Sequence, residues 1–224
     1  MLNRSSIKTN VCFIYLPANC SGIVADRQII KINAVLRSPE EEKELRQKAK
    51  KTLLWVALVS IMMMFAGLTS AYIVRMAEGN WQEIELPQIF YFSTAVLLIS
   101  SITMNLAVSA AKKDDFAKIK VYTWITFTLG ITFVVFQVEG WKDLIAQEIY
   151  FSGGNASGSY IYVLSGVHLA HVGGGLLALV ITGFKALRQA YHSKKMLGLQ
   201  LCSIYWHFLD FLWIYLFLFL LFIR

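Results

Sequence analysis

Five long, nearly uncharged stretches constrain this chain more than anything else in it. They run Leu53–Val74, Gln88–Ala111, Ile119–Val138, Ser159–Leu187 and Leu201–Ile223. At ~1.5 Å rise per residue, each crosses a hydrocarbon core of ~30 Å when helical. No water inside a bilayer satisfies backbone N–H and C=O groups, so each stretch is predicted to be an α-helix. The composition agrees, with 57% hydrophobic and 16% charged residues, where a soluble domain carries about 25% charged. The predicted fold is therefore all-α: an integral membrane bundle of five transmembrane helices.

Basic residues set its orientation. Ten Lys and Arg precede the first span, from Arg4 to Lys51. Four (Lys112, Lys113, Lys118, Lys120) follow the second span, and four more (Lys185, Arg188, Lys194, Lys195) follow the body of the fourth. The opposite side holds only Arg75, Lys142 and Arg224, with the acidic Glu78, Glu83, Glu85, Asp143 and Glu148. Cationic loops stay on the cytoplasmic side, which puts the N-terminus inside and the C-terminus outside. The net charge of +7 is thus read as topology, and no nucleic-acid partner is expected.

Residues 1–37 read as a loosely ordered tail and 38–224 as the membrane domain. Ser38, Pro39 and Glu41 form a helix start with a capping box, followed by Glu40–Glu44–Lys48 pairing at i,i+4. Cys12, Cys20 and Cys202 form no CxxC pair, so neither a disulfide framework nor a thiolate metal site is expected. Rings at the span borders (Trp55, Trp81, Trp141, Trp206, Tyr160, Tyr162) are read as interfacial anchors.

The polar residues inside the spans are few. Asp210 is the one carboxylate within them, and an ionised group at mid-membrane costs about 2.5–3.5 kcal/mol on insertion scales. His168 and His171 lie ~14 and ~18 Å down the fourth span, and Asp210 lies ~16 Å from the same side on the fifth. A His–Asp hydrogen bond between these two helices is therefore expected. His168, His171, His207 and Asp210 are read as an interhelical polar clasp. A b-type haem held by His171 and His207 beside Gly173, Gly174 and Gly175 is a second reading. A proton relay or transporter using Asp210 as the coupling residue is a third. Gly166, Ala170, Gly174 and Ala178 recur every four residues, a small-xxx-small stripe expected to pack helices closely. Ser101, Asn105 and Ser109 repeat that spacing on the second span. No residue is assigned a catalytic or metal-ligating role.

Two segments carry a family resemblance. Gly166-Val167-His168-Leu169-Ala170-His171-Val172 resembles the G-x-H-x-x-H-V segment of subunit III of cytochrome c and quinol oxidases. Tyr205-Trp206-His207-Phe208-Leu209-Asp210-Phe211-Leu212-Trp213 resembles that family's W-H-F-x-D-x-x-W segment. They occur in family order on the last two spans, and the resemblance covers roughly 52–224. It implies the short, five-helix form of a non-catalytic subunit, without haem or copper of its own. Such a subunit binds phospholipid, buttresses the catalytic subunit and sustains proton uptake during turnover. It implies oxidase subunits I and II and membrane lipids as partners, with haem and copper in those subunits. Cytochrome c or quinol is then the electron donor to the complex, and a bacterial cytoplasmic membrane its location. Two positions depart from the family. Ile61 stands where many members carry a mid-span Glu. Lys185 stands where members place a basic residue against a lipid phosphate, and it keeps the charge without arginine's two-pronged geometry.

Overall fold

The computed structural model describes residues 39–77, 81, 84, 86–151, 156–188 and 196–223. Five helices account for nearly all of them: α1 Pro39–Met76, α2 Ile89–Lys112, α3 Phe116–Ala146, α4 Ala156–Leu187 and α5 Leu197–Phe222. All five are long and apolar enough to cross a membrane, and no strand occurs among the described residues. The tail 1–37 and the cap expected at Ser38 lie outside the described residues.

Residues through Lys48 group apart from the unit Ala49–Arg224. Within Pro39–Lys48, three glutamates occupy the first turn, where negative charge complements the positive end of the helix dipole. An i,i+4 ion pair forms here between Glu42 and Arg46 at 2.6 Å, two residues along from the Glu40–Glu44–Lys48 series expected. Both partners are well exposed, so the pair adds little.

In the larger unit, α2 and α3 form an antiparallel hairpin, α4 and α5 follow, and α5 returns to pack on α2. Half of the apolar window of α5 is buried inside the bundle, against 17% for α1. The last helix is therefore the centre, and the first is mostly left to its surroundings. Helix α1 attaches through a few large side chains. Phe65 meets His168 and His171 edge-on, Tyr72 packs on Trp81, Tyr160 and Phe219, and Thr69 Oγ1 bonds Tyr215 Oη at 3.1 Å.

The third helix runs well past Val138. Glu139 and Lys142 pair at 2.7 Å on its exposed side, while Gly140 lets the helix close on α2. A Cβ there would lie 2.7 Å from Phe90 Cε1 and 3.1 Å from Ile89 Cγ2. Its start has a cap the residues advertise: Asp115 Oδ1 accepts from the Lys118 backbone N–H at 3.2 Å.

That cap yields a pH signature outside the membrane. The Lys118 side chain, 2.9 Å from Oδ2, and the Lys118 amide hold the Asp115 carboxyl below its ordinary 3.8. A carboxyl depressed on folding stabilises above its unfolded pKa and loses that contribution as pH falls through its folded value. The expected result is an Asp115 titration midpoint, read by carboxyl-carbon NMR, below 3.8 in the wild type and higher in Lys118→Ala. Equal midpoints in the two proteins would refute the contribution of the Lys118 ammonium group.

Candidate functional site

Four residues of α5 with polar groups reach toward α2. Residues 206, 207, 210 and 213 share one helical face, as do 94, 101 and 105 on α2, by the i,i+3/i+4 rule. Trp213 Nε1 donates to Thr94 Oγ1 at 3.0 Å, and Trp206 Nε1 donates to Ser100 Oγ at 3.0 Å. His207 Nδ1 lies 2.7 Å from Ser101 Oγ, and His207 Nε2 lies 3.0 Å from Asn105 Oδ1. Numbers rise along α2 as they fall along α5, as an antiparallel pair requires. Polar side chains that meet across helices in hydrocarbon are worth about 0.6–2 kcal/mol each, and four such bonds set the α2–α5 register.

Asp210 belongs to this cluster. Its Oδ2 is 3.8 Å from His207 Nδ1, the residue is 4% exposed, and neither carboxyl oxygen has a hydrogen-bond partner among the described residues. The bond expected between Asp210 and the α4 histidines does not form. His168 is fully buried among the rings of Phe65, Phe133 and Trp213, with centroids 6.4, 6.0 and 5.2 Å away. Both its ring nitrogens lack hydrogen-bond partners among the described residues. His171 Nδ1 turns back to the Val167 carbonyl of its own helix at 2.7 Å. Depth along the membrane matched these residues, but rotation about the helix axes separates them. The polar contact lies between α2 and α5, and α4 places His168 in a box of rings from α1, α3 and α5.

The small-residue stripe is corrected as well. Ala170 and Gly174 are exposed, Gly166 and Ala178 half-buried, so this stripe does not form the main helix contact. The glycine of α4 that admits a neighbour is Gly175, where a Cβ would sit 3.1 Å from Leu209 Cδ1 and 3.2 Å from Trp206 Cζ3. Opposite it, a Cβ on Gly130 of α3 would lie 2.7 Å from Trp206 Cη2. Trp206 is therefore no border anchor. At 1% exposure, its ring sits between Gly130 and Gly175 while its N–H holds α2, joining α5 to three helices at once.

Several supporting groups went unpredicted. Gln137 Nε2 donates to Ser93 Oγ at 3.1 Å, Thr103 and Thr126 hydroxyls meet at 2.8 Å, and Trp141 Nε1 donates to Ser165 Oγ at 2.9 Å. The available signal was the density of hydroxyls along α2 (Ser93, Thr94, Ser100, Ser101, Thr103), unusual in a block otherwise apolar. Lys185 is exposed in the last turn of α4.

Both nitrogens of His207 are engaged by α2, and His171 points to its own backbone, so the two do not form an axial ligand pair. Among the described residues no three of His, Cys, Asp and Glu converge as a metal cage. The chain is a bundle of five helices long and apolar enough to span a membrane, with its polar residues bonded between helices. The chain belongs to the cytochrome c oxidase subunit III family, whose model matches residues 46–223. It is 34% identical to a probable cytochrome c oxidase subunit 3 of Nocardia farcinica over 179 residues, 77% of this chain and 86% of the relative. It is 33% identical to the cytochrome c oxidase subunit 3 of Thermostichus vulcanus, over 73% of this chain and 82% of the relative. With that of Bacillus sp. PS3 the identity is 29%, over 80% and 88%. Subunit III is a non-catalytic part of a haem–copper oxidase and carries no haem or metal of its own. The chain therefore acts in complex with other oxidase subunits.

Proposed function

We propose that this chain braces the catalytic subunit of a haem–copper terminal oxidase in a bacterial cytoplasmic membrane and sustains its proton uptake during turnover. Subunits I and II are its partners, and they supply the haem and copper; cytochrome c or quinol supplies the electrons. The N-terminus lies inside and the C-terminus outside, on the distribution of basic residues. The observation that carries this reading is the pairing of the signature segment 205–213 with α2, which makes those residues structural. A rigid scaffold suits a subunit that holds another in place.

The test is a pull-down of the tagged chain in gentle detergent, read by mass spectrometry and a redox difference spectrum. A large subunit with haem and copper in the eluate is the expected result. Recovery of the chain alone, with or without a b-type spectrum, would overturn the proposal. Oxidase depleted of the chain is expected to start at a near-normal rate and lose activity during turnover; unchanged endurance would remove the supporting role.

Phospholipid at the end of α4 belongs to the same proposal. Lys185 is an exposed cation in the last turn of α4, and its long stem lets the ammonium reach a phosphate while its methylenes stay in the apolar layer. Lys185→Ala is expected to lower the phospholipid that co-purifies with the complex, measured per haem. An unchanged ratio would refute the contact.

A further inference from the structure

Two exposed hydroxyls on the outside of the bundle satisfy themselves. On α3, Thr128 Oγ1 donates to the Trp124 carbonyl and Thr132 Oγ1 to the Thr128 carbonyl, both at 3.0 Å. Hydroxyls bonded to their own helix leave nothing to be matched by lipid. The outward faces of α1 and α4 present Val59, Met63, Leu177, Ile181 and Phe184, which acyl chains cover well.

The seam between α2 and α5 differs. Asn105 is exposed seven residues before the end of α2, ~10 Å inside that end and within the hydrocarbon layer. Its Oδ1 meets His207 Nε2, and its Nδ2 has no partner among the described residues. Turning the amide over changes nothing essential, since one end then still faces His207 and the other stays free. The His207 side chain is 30% exposed, and behind it lies Asp210, whose oxygens have no hydrogen-bond partner among the described residues. An amide with its NH2 end unengaged, a partly exposed imidazole and the carboxyl group of Asp210 are thus stacked inward from the surface. A shallow depression bordered by Val108, Ser203 and Ile204 continues the seam by one turn, and Lys51 and Trp55 of α1 form its other wall.

Acyl chains offer no hydrogen bond, and an amide left facing them is costly. The chain acts within a multisubunit oxidase, so a protein face is available to supply the missing group. We propose that the α2–α5 seam at Asn105 and His207 is the surface on which this chain docks against a transmembrane helix of another oxidase subunit, which places a hydrogen-bonding group opposite Asn105. This rests on the accessory-subunit reading and adds the face and the chemistry by which it assembles.

The test uses the assembled complex. A photo-cross-linking residue replaces Ile102, one turn from Asn105 on the exposed side, and in a second variant replaces Ile181 on α4 as the lipid-facing control. The expected result is an adduct between position 102 and a larger oxidase subunit, with none from position 181. In parallel, Asn105→Leu is expected to reduce retention of the chain in washed complex about tenfold, from the loss of one interhelical polar contact, while Ile181→Leu leaves it unchanged. Adducts from 102 only to lipid or to a second copy of this chain, or oxidase adducts only from 181, would overturn the docking surface. The accessory reading would stand if the complex still co-purified. If no oxidase subunit accompanies the unmodified chain, the accessory reading falls and takes the docking surface with it.

Discussion

Trp206→Ala is expected to destabilise the bundle by about 3–5 kcal/mol, measured by reversible SDS unfolding in mixed micelles. The indole is 1% exposed and fills the space between Gly130 and Gly175, which have no side chains with which to refill it. Helix backbones collapse only partly into such a gap, so the dispersion contacts of the ring are lost outright. The hydrogen bond from Nε1 to Ser100 Oγ goes with them. Trp206→Phe separates the two contributions. It keeps most of the ring and removes the donor, and is expected to cost about 1 kcal/mol, in line with one interhelical polar bond. A loss below about 2 kcal/mol for the alanine variant would show that Trp206 is not the joint described here.

Gly130→Leu tests the same joint from the other side. The first added carbon would already lie 2.7 Å from Trp206 Cη2 and 2.7 Å from Leu176 Cδ2. Leu176 has a flexible end and can turn aside. Trp206 cannot, because its ring is confined by Gly175 and pinned through Nε1. Leucine gains about 1 kcal/mol of helix propensity over glycine, but overpacking of about 3 kcal/mol outweighs it. A net loss near 2 kcal/mol is expected. The two changes should also couple. In the Trp206→Ala background the leucine enters vacated space, so the double variant is expected to be more stable than the sum of the single effects by at least about 1 kcal/mol. Strict additivity would mean that the two residues do not share a space.

The same residues show where reading a sequence stops. The five spans and the all-α class were legible because hydrocarbon admits little else: a run of apolar residues long enough to cross it has to close its own hydrogen bonds. The family was legible because two short segments, 166–172 and 205–213, carry uncommon residues in an uncommon order. Helix ends were less so. The third helix continues to Ala146 because Glu139 and Lys142 neutralise each other on the exposed side while Gly140 packs on Phe90, whereas the apolar run by itself ends at Val138.

What depth along a helix leaves open is rotation about it. His168, His171 and Asp210 share a level, so the sequence made their meeting plausible, yet His168 faces Phe133 and Trp213 while Asp210 sits beside His207. The stripe Gly166, Ala170, Gly174 and Ala178 has the spacing of a contact face, and it is Gly175, one residue aside, that receives Trp206. One residue turns the helix face by about 100°, since about 3.6 residues make a turn. In a membrane the lipid-facing and protein-facing sides of a helix are both apolar, so no contrast of polar and apolar residues marks the inward side. The sequence by itself determined that this chain crosses the membrane five times as a member of the subunit III family. Only the tertiary structure decided that α5 is the centre, that its polar residues bond α2, and that Asn105 is left facing outward, because those depend on how each helix is turned toward its neighbours.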